Sequence, residues 1–310
     1  MATVIDWHAH HTPPELVDRF VALGEKPPRI DPEDDADFER RIDEMDAAGI
    51  DRQLVSPGAG VTGDRFPAET AIDLTRLAND VIADRIAPYP NRLMGNIAIT
   101  MKDPDGSIQE IERMAARGFR AVLFFAKPEA VGLPETDRVL GKAAELSLPI
   151  FLHGGGGGRQ NPTLDRLEDG GQGVAVSVGA DASVADFCVR LIAAGTFDRY
   201  PGLQIVIRSS GGSVPMLLNK LYWKHKSPDG GERRYSEILL EHFLVDCASS
   251  SPRKLQFLSD TMGEDRVVFG SDYCGGSGPL ANAVRVLRDH PNPTPVVESM
   301  ERTSRQLLKL

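Results

Sequence analysis

Three of the chain's seven histidines, His8, His10 and His11, fall within four residues of one another in the stretch VIDWHAHH. A neutral imidazole is a good ligand for zinc, manganese or iron. Side chains alternate faces along an extended strand, so His8 and His10 point the same way and can reach one divalent cation. On this alternation Val4 and Asp6 share their face, and Ile5, Trp7 and Ala9 form the opposite, apolar one, suited to packing beneath outer helices. A lone buried histidine would read as a core residue satisfied by hydrogen bonds. Here further donors fall at comparable places. His153 ends the apolar run LPIFLHG, and Asp272 ends VVFGSDY, where Val268, Gly270 and Asp272 alternate onto one face. An Asp after Gly-Ser is by itself an ordinary turn cap. Three strand tips that each carry a nitrogen or oxygen donor are hard to explain by packing. Such a site, with one position left open, can polarise a carbonyl or acidify a bound water.

The elements that must position these donors read as βα repeats. Short apolar runs predict strands over about 4–10, 52–56, 93–98, 119–125, 148–153, 204–209, 242–247 and 266–271. Between them, amphipathic periodicity predicts helices over 36–48, 67–87, 105–117, 135–147, 182–195, 213–225 and 251–262, with a closing helix near 296–309. Punctuation such as AAGID and AARGF marks helix ends. Eight strands with helices between them favour a parallel sheet closed into a barrel, whose chemistry sits at the C-terminal mouth of the strands. An open doubly wound sheet would carry a glycine-rich phosphate loop after its first strand, and none follows VIDWHAH. Two long segments, 20–37 and the glycine-rich 154–181, depart from compact connections and have the length of functional lids or surface excursions.

Composition narrows the partners. A hydrophobic share of 41% in 310 residues allows a large core. The net charge of −10 argues against nucleic acid and against anionic membrane surfaces. An anionic substrate would have to be attracted locally, against that field. Three separated cysteines, Cys188, Cys247 and Cys274, do not make a disulfide framework. No basic segment followed by an apolar one opens the chain, so cytoplasmic residence is the expectation.

The strand-one His-x-His, the strand-five His153 and GSDY after strand eight resemble the amidohydrolase superfamily. They are most similar to its decarboxylase branch, which includes aminocarboxymuconate semialdehyde decarboxylase and the γ-resorcylate and 5-carboxyvanillate decarboxylases. KAAELSLPIFLHG, GTFDRYPGLQIVI and GEDRVVFGSDY carry the likeness, which covers nearly the whole length. It implies a distorted (β/α)8 TIM barrel of the amidohydrolase type, one domain over 1–310. His8, His10, His153 and Asp272 would then hold one divalent metal, zinc first, with manganese or iron as alternatives. A homodimer is implied as well.

One departure bears on the chemistry. The branch usually reads His-Gly-Gly-Gly after strand six, and that histidine serves as acid and base. Here the segment is VIRSSGGSVP, with Ser209 at the histidine's position and Ser210 at the first glycine's. A serine hydroxyl cannot take up a proton at neutral pH as imidazole can. Three readings follow: Asp272 handles the proton; Arg208 holds a substrate carboxylate, or is a structural ion pair; or the reaction is not the branch's usual one. His225, placed in the 213–225 helix, His242, at the wrong end of strand seven, and His11, starting on the opposite face, do not replace the base. Lys127 reads as a solvated loop lysine ahead of a ligand to a second metal, and Arg52 falls at the wrong rim. Cys274 could line the pocket, though as an inert thiol, and Gly275-Gly276 suggests close backbone approach or a mobile rim. The leading expectation is a metal-dependent lyase that decarboxylates a small carboxylated aromatic or unsaturated acid. The rival is a metal-dependent hydrolase or hydratase with Asp272 as proton carrier. A third reading is a repurposed barrel with a binding or iron-dependent redox role.

Overall fold

The computed structural model describes residues 2–26, 38–58, 63–154 and 172–310. Its strands are β1 (Ile5–His11), β2 (Arg52–Pro57), β3 (Leu93–Ala98), β4 (Ala121–Phe125), β5 (Ile150–His153), β6 (Ile205–Ile207), β7 (Lys224–Lys226), β8 (Glu232–Arg234), β9 (Phe243–Asp246) and β10 (Val267–Val268). Eight of them form one sheet in the order β1-β2-β3-β4-β5-β6-β9-β10, every pair parallel, while β7 and β8 make a separate antiparallel hairpin. The sheet closes on itself beyond β10. Trp7 N donates to Phe269 O (2.9 Å), Asp272 N to His8 O (2.7 Å) and His10 N to Tyr273 O (2.8 Å). The eight predicted strands are thus present in a nearly closed (β/α)8 barrel, with the last one cut to two residues.

The strands are apolar on both faces because both are buried. Leu54, Met94, Leu123, Phe151, Val206, Leu244 and Val268 fill the interior, and Val55, Ile97, Val122, Phe124, Leu152, Ile207 and Val245 pack under the helices. The helices expected from periodicity appear as Phe38–Ala48, Ala68–Ile86, Pro104–Ala116, Pro134–Glu145, Ala180–Ala193, Pro252–Met262 and Pro293–Leu308. Asp103 and Ser251 cap two of them by accepting from Gly106 N and Lys254 N. Leu308 of the last helix joins Ile5 and Trp7 in the interior cluster, and Trp7 Nε1 donates to Ser304 Oγ (2.9 Å). The C-terminal helix therefore plugs the end of the barrel opposite the histidines.

Three expectations need correction. The helix over 213–225 does not form. Val214–Leu217 and Leu218–Lys220 are short turns, and the chain then reverses through SPDGG to pair β7 with β8. Asp229 and Gly230 supply that reversal, with Gly230 at φ 87° and Gly231 N donating to Asp229 Oδ1. Helices Pro14–Ala22, Tyr235–His242 and Leu280–Arg288 were not expected. Finally, simple alternation fails on β1. Its register against β2 shifts between Asp6 and Ala9, where three steps face two, Gln53 to Val55. Asp6 pairs with Gln53 and so turns away from the face of His8 and His10, while Ile5 and Trp7 turn inward. Of the two long segments, 27–37 and 155–171 lie outside the described residues; 172–179 winds as helical turns ahead of Ala180–Ala193. No described helix is long and apolar enough to cross a membrane.

Candidate metal centre

The bulge in β1 brings His8 and His10 onto the inner face at the C-terminal mouth, opposite His153 at the tip of β5. One donor atom from each of the three lies within 4.8 Å of the others. His8 Nε2 and His10 Nε2 are 3.1 Å apart, and all three residues are buried. Asp272 Oδ1 lies beside two of them, 3.2 Å from His8 Nε2 and 3.4 Å from His10 Nε2. Each ring has its Nδ1 turned to an oxygen that only accepts: Asp246 Oδ2 for His8 (2.7 Å), Pro57 O for His10 (3.4 Å) and Gly154 O for His153 (3.2 Å). A neutral imidazole that donates from Nδ1 has its lone pair on Nε2. Three such lone pairs and a carboxylate, converging in a buried space, fit one divalent cation.

The surroundings fix this geometry. Asp272 adopts φ 58° and Cys274 φ 59°, a left-handed rim that aims the carboxylate inward. Ser277 Oγ donates to Asp272 Oδ2 (2.6 Å). Gly275 is needed there, because a Cβ at that position would lie 2.0 Å from Asp272 Oδ1 and 2.8 Å from His10 Cδ2. Gly275 therefore marks close backbone approach. Burial alone would raise the Asp272 pKa, but His8 and His10 outweigh it and hold the carboxyl well below its usual range. Burial opposes a charge on His8, yet Asp272 and Asp246 together raise its pKa. His153 goes the other way: burial first, then the Arg208 charge, pushes it well below the usual imidazole value, which keeps it neutral.

The amidohydrolase family model matches residues 5–295. The chain belongs to the amidohydrolase family. Among curated relatives, the γ-resorcylate decarboxylase of Rhizobium radiobacter is 28% identical over 253 residues, 75% of each protein. Among solved structures, 5-carboxyvanillate decarboxylase from Sphingomonas paucimobilis superposes with a TM-score of 0.84 at 24% identity, over 100% of both chains. A dihydroxybenzoic acid decarboxylase from Polaromonas sp. JS666, solved with bound manganese and 2-nitroresorcinol, gives a TM-score of 0.83 at 20% identity, over 100% of this chain and 98% of its own.

Within this amidohydrolase barrel, Arg208 stands beside the histidines. Gly154, next to His153, makes room for it: a Cβ there would lie 2.7 Å from Arg208 Nη2. Its Nη1 donates to Ser209 Oγ (2.8 Å), its Nη2 lies 3.8 Å from Asp181 Oδ1, and its buried Nε has no hydrogen-bond partner among the described residues. Ser209 thus orients the guanidinium. His11 packs edge-on against Phe38 (5.0 Å between centroids), away from the cluster. Lys127 is paired with Asp64, whose Oδ1 accepts from Thr100 Oγ1 (2.6 Å), and it does not join the histidines. His225 sits in hairpin strand β7, not in a helix, and faces Asp198 Oδ2 at 2.5 Å. His242 precedes β9, at the far end from the mouth, where its Nδ1 donates to Leu203 O (3.0 Å). Arg52 begins β2 at that same far rim. Cys274 is buried, with Arg41 Nη2 3.7 Å from its sulfur.

Two contributors escape sequence reasoning. Asp246 ends the apolar run HFLVD at a strand tip, a signal of the same kind that flagged His153 and Asp272. Arg41 lies on the helix Phe38–Ala48, yet it is almost fully buried, donating to His10 O (2.7 Å) and Gln53 Oε1 (2.7 Å). Gln53 Nε2 in turn donates to Asp6 Oδ2 (2.8 Å), which also accepts from Ser271 Oγ (2.6 Å).

Proposed function

We propose that the protein is a metal-dependent decarboxylase of a small carboxylated aromatic acid. The observation that carries this reading is the convergence of three imidazole lone pairs, with the Asp272 carboxylate beside them and the Arg208 guanidinium alongside. His8, His10, His153 and Asp272 would hold the ion. A divalent cation in that place supplies Lewis-acid polarisation of a substrate oxygen, which draws off the electron pair left behind as CO2 departs. Arg208, whose Nε has no hydrogen-bond partner among the described residues, would hold the substrate carboxylate and provides local positive charge in a chain of net charge −10. With Ser209 where an imidazole base would stand, Asp272 is the proton carrier: its carboxylate would first accept a proton from a substrate hydroxyl and then pass it to the ring carbon, which takes up that proton as it loses CO2. The names of the curated relatives support the substrate class. Three imidazole donors suit zinc, our assignment; manganese, present in the Polaromonas neighbour, is the alternative. A single domain, a cytoplasmic location and a homodimer belong to the same proposal, and solution mass tests the last of these.

The position of the Asp272 carboxylate beside His8 and His10 also allows a second reading, in which it acts as the base for water attack in a hydrolase or hydratase. One experiment separates the two. Metal-loaded protein is incubated with a panel of carboxylated phenols, including γ-resorcylate and 5-carboxyvanillate, in 18O water. Decarboxylation predicts CO2 equal to the acid consumed, with Arg208→Ala lowering kcat/KM by about 10–100-fold as one charged hydrogen bond is lost. Solvent oxygen in the product without CO2 establishes the second reading instead.

A further inference from the structure

Asp246, at the tip of β9, is wholly buried, and its two oxygens serve different partners. Oδ1 accepts from the backbone N–H groups of Ser210 (3.1 Å) and Ala248 (3.0 Å), and Oδ2 faces His8 Nδ1 at 2.7 Å. The Ser210 N–H is aimed there by a left-handed turn, Ser209 at φ 50° and Ser210 at φ 63°. The Ser210 hydroxyl is anchored to Ala248 O (2.9 Å) and Ser250 Oγ (2.7 Å). Gly270 supplies the space, since a Cβ there would lie 2.9 Å from Asp246 Cγ. The SSGG segment thus has a structural task that reaches β1.

We propose that Asp246 is a positioning residue that fixes His8 as its Nδ1–H tautomer and so leaves Nε2 free to bind a cation. The assignment rests on the metal-centre reading. A carboxylate only accepts, so the proton between Asp246 and a neutral His8 must come from Nδ1. The two backbone N–H groups make the test sharp. In Asp246→Asn they require the amide oxygen to stay in the Oδ1 position, which turns the amide NH2 toward His8 Nδ1. That nitrogen must then accept, and the ring proton moves to Nε2, the atom needed for the ion. A residue acting only by shape would tolerate this isosteric change.

The test is titration of metal-stripped wild-type and Asp246→Asn protein with Zn(II), and separately with Mn(II), against a chelating indicator. Thermal melts of both stripped proteins run alongside. The expected result is an affinity about 10–100-fold weaker in the variant. A loss smaller than about tenfold overturns the assignment. Wild-type protein that takes up no ion removes the metal-centre reading and this assignment together, whereas wild-type uptake with an unaltered variant removes the assignment alone. Should the variant fail to fold, nitrogen-15 NMR of histidine-labelled, zinc-loaded wild-type protein decides. A proton on His8 Nδ1 supports the proposal, and one on Nε2 overturns it.

Discussion

Gly275 shows how little room is left around the donor atoms. Its backbone lies against both Asp272 and His10, and Gly275→Ala would place a methyl carbon 2.0 Å from Asp272 Oδ1. That carboxylate is held by Ser277 and by its own left-handed backbone, so it must move away from the histidines rather than around the methyl. The expected outcome is a metal affinity weakened by about tenfold or more, as for other changes that disturb ligand orientation, with the thermal melt little altered. Wild-type affinity would contradict it. Single residues also mark the limits of reading this site from sequence. His8, His10, His153 and Asp272 stand out as candidates in the sequence because donors of this kind are unusual at the ends of apolar runs. Asp246 ends such a run too, but its role depends on which side chain it meets across the barrel. Nothing in LVDC points to His8. Ser209 was visible as an anomaly, yet its bond to Arg208 required coordinates.

The helix Phe38–Ala48 contributes to the site without supplying a donor to the histidine cluster. Arg41 reaches inward from it, between the rings of Phe38 and Tyr273, each about 4.9 Å away, to hold the carbonyl of His10 and the side chain of Gln53. Through Gln53 and Asp6 the same network binds β1 to Ser271 beyond β10, where the barrel closes. Arg41→Met keeps the apolar stem but leaves those two acceptors without this donor. Buried acceptors stripped of their partners cost about 1–3 kcal/mol each. Urea unfolding should therefore show a clear loss of stability, and a midpoint equal to wild type would refute the structural role. Periodicity could not reveal this, because arginine on an amphipathic helix reads as solvent-facing. Similar limits explain two other misreadings. The β1 bulge breaks the two-residue period on which facing was argued, and it arises from pairing with β2. In 213–225 the spacing of Val214, Leu217, Leu218 and Leu221 imitates a helix, whereas the SPDGG turn that pairs β7 with β8 sets the real course.

Taken as a whole, the barrel divides its labour between its two ends. At one, Leu308 of the last helix packs beneath Ile5 and Trp7, giving a rigid, apolar floor. At the other lie five of the seven described non-glycine residues with positive φ: Ser209, Ser210, Ser249, Asp272 and Cys274. Strain gathered in this way, on loops after β6, β9 and β10, is typical of functional rims held by the surrounding structure. The architecture was readable because eight apolar runs alternating with helical patterns leave few alternatives. What was not readable was the set of contacts made when strand tips far apart in sequence meet. Those contacts carry the central claim, and the most direct measurement of it is elemental analysis of protein dialysed against excess zinc or manganese and then freed of loose ions. The account predicts one divalent ion per chain in the wild type and almost none in His153→Ala. No stoichiometric ion in the wild type, or undiminished uptake by the variant, would contradict it.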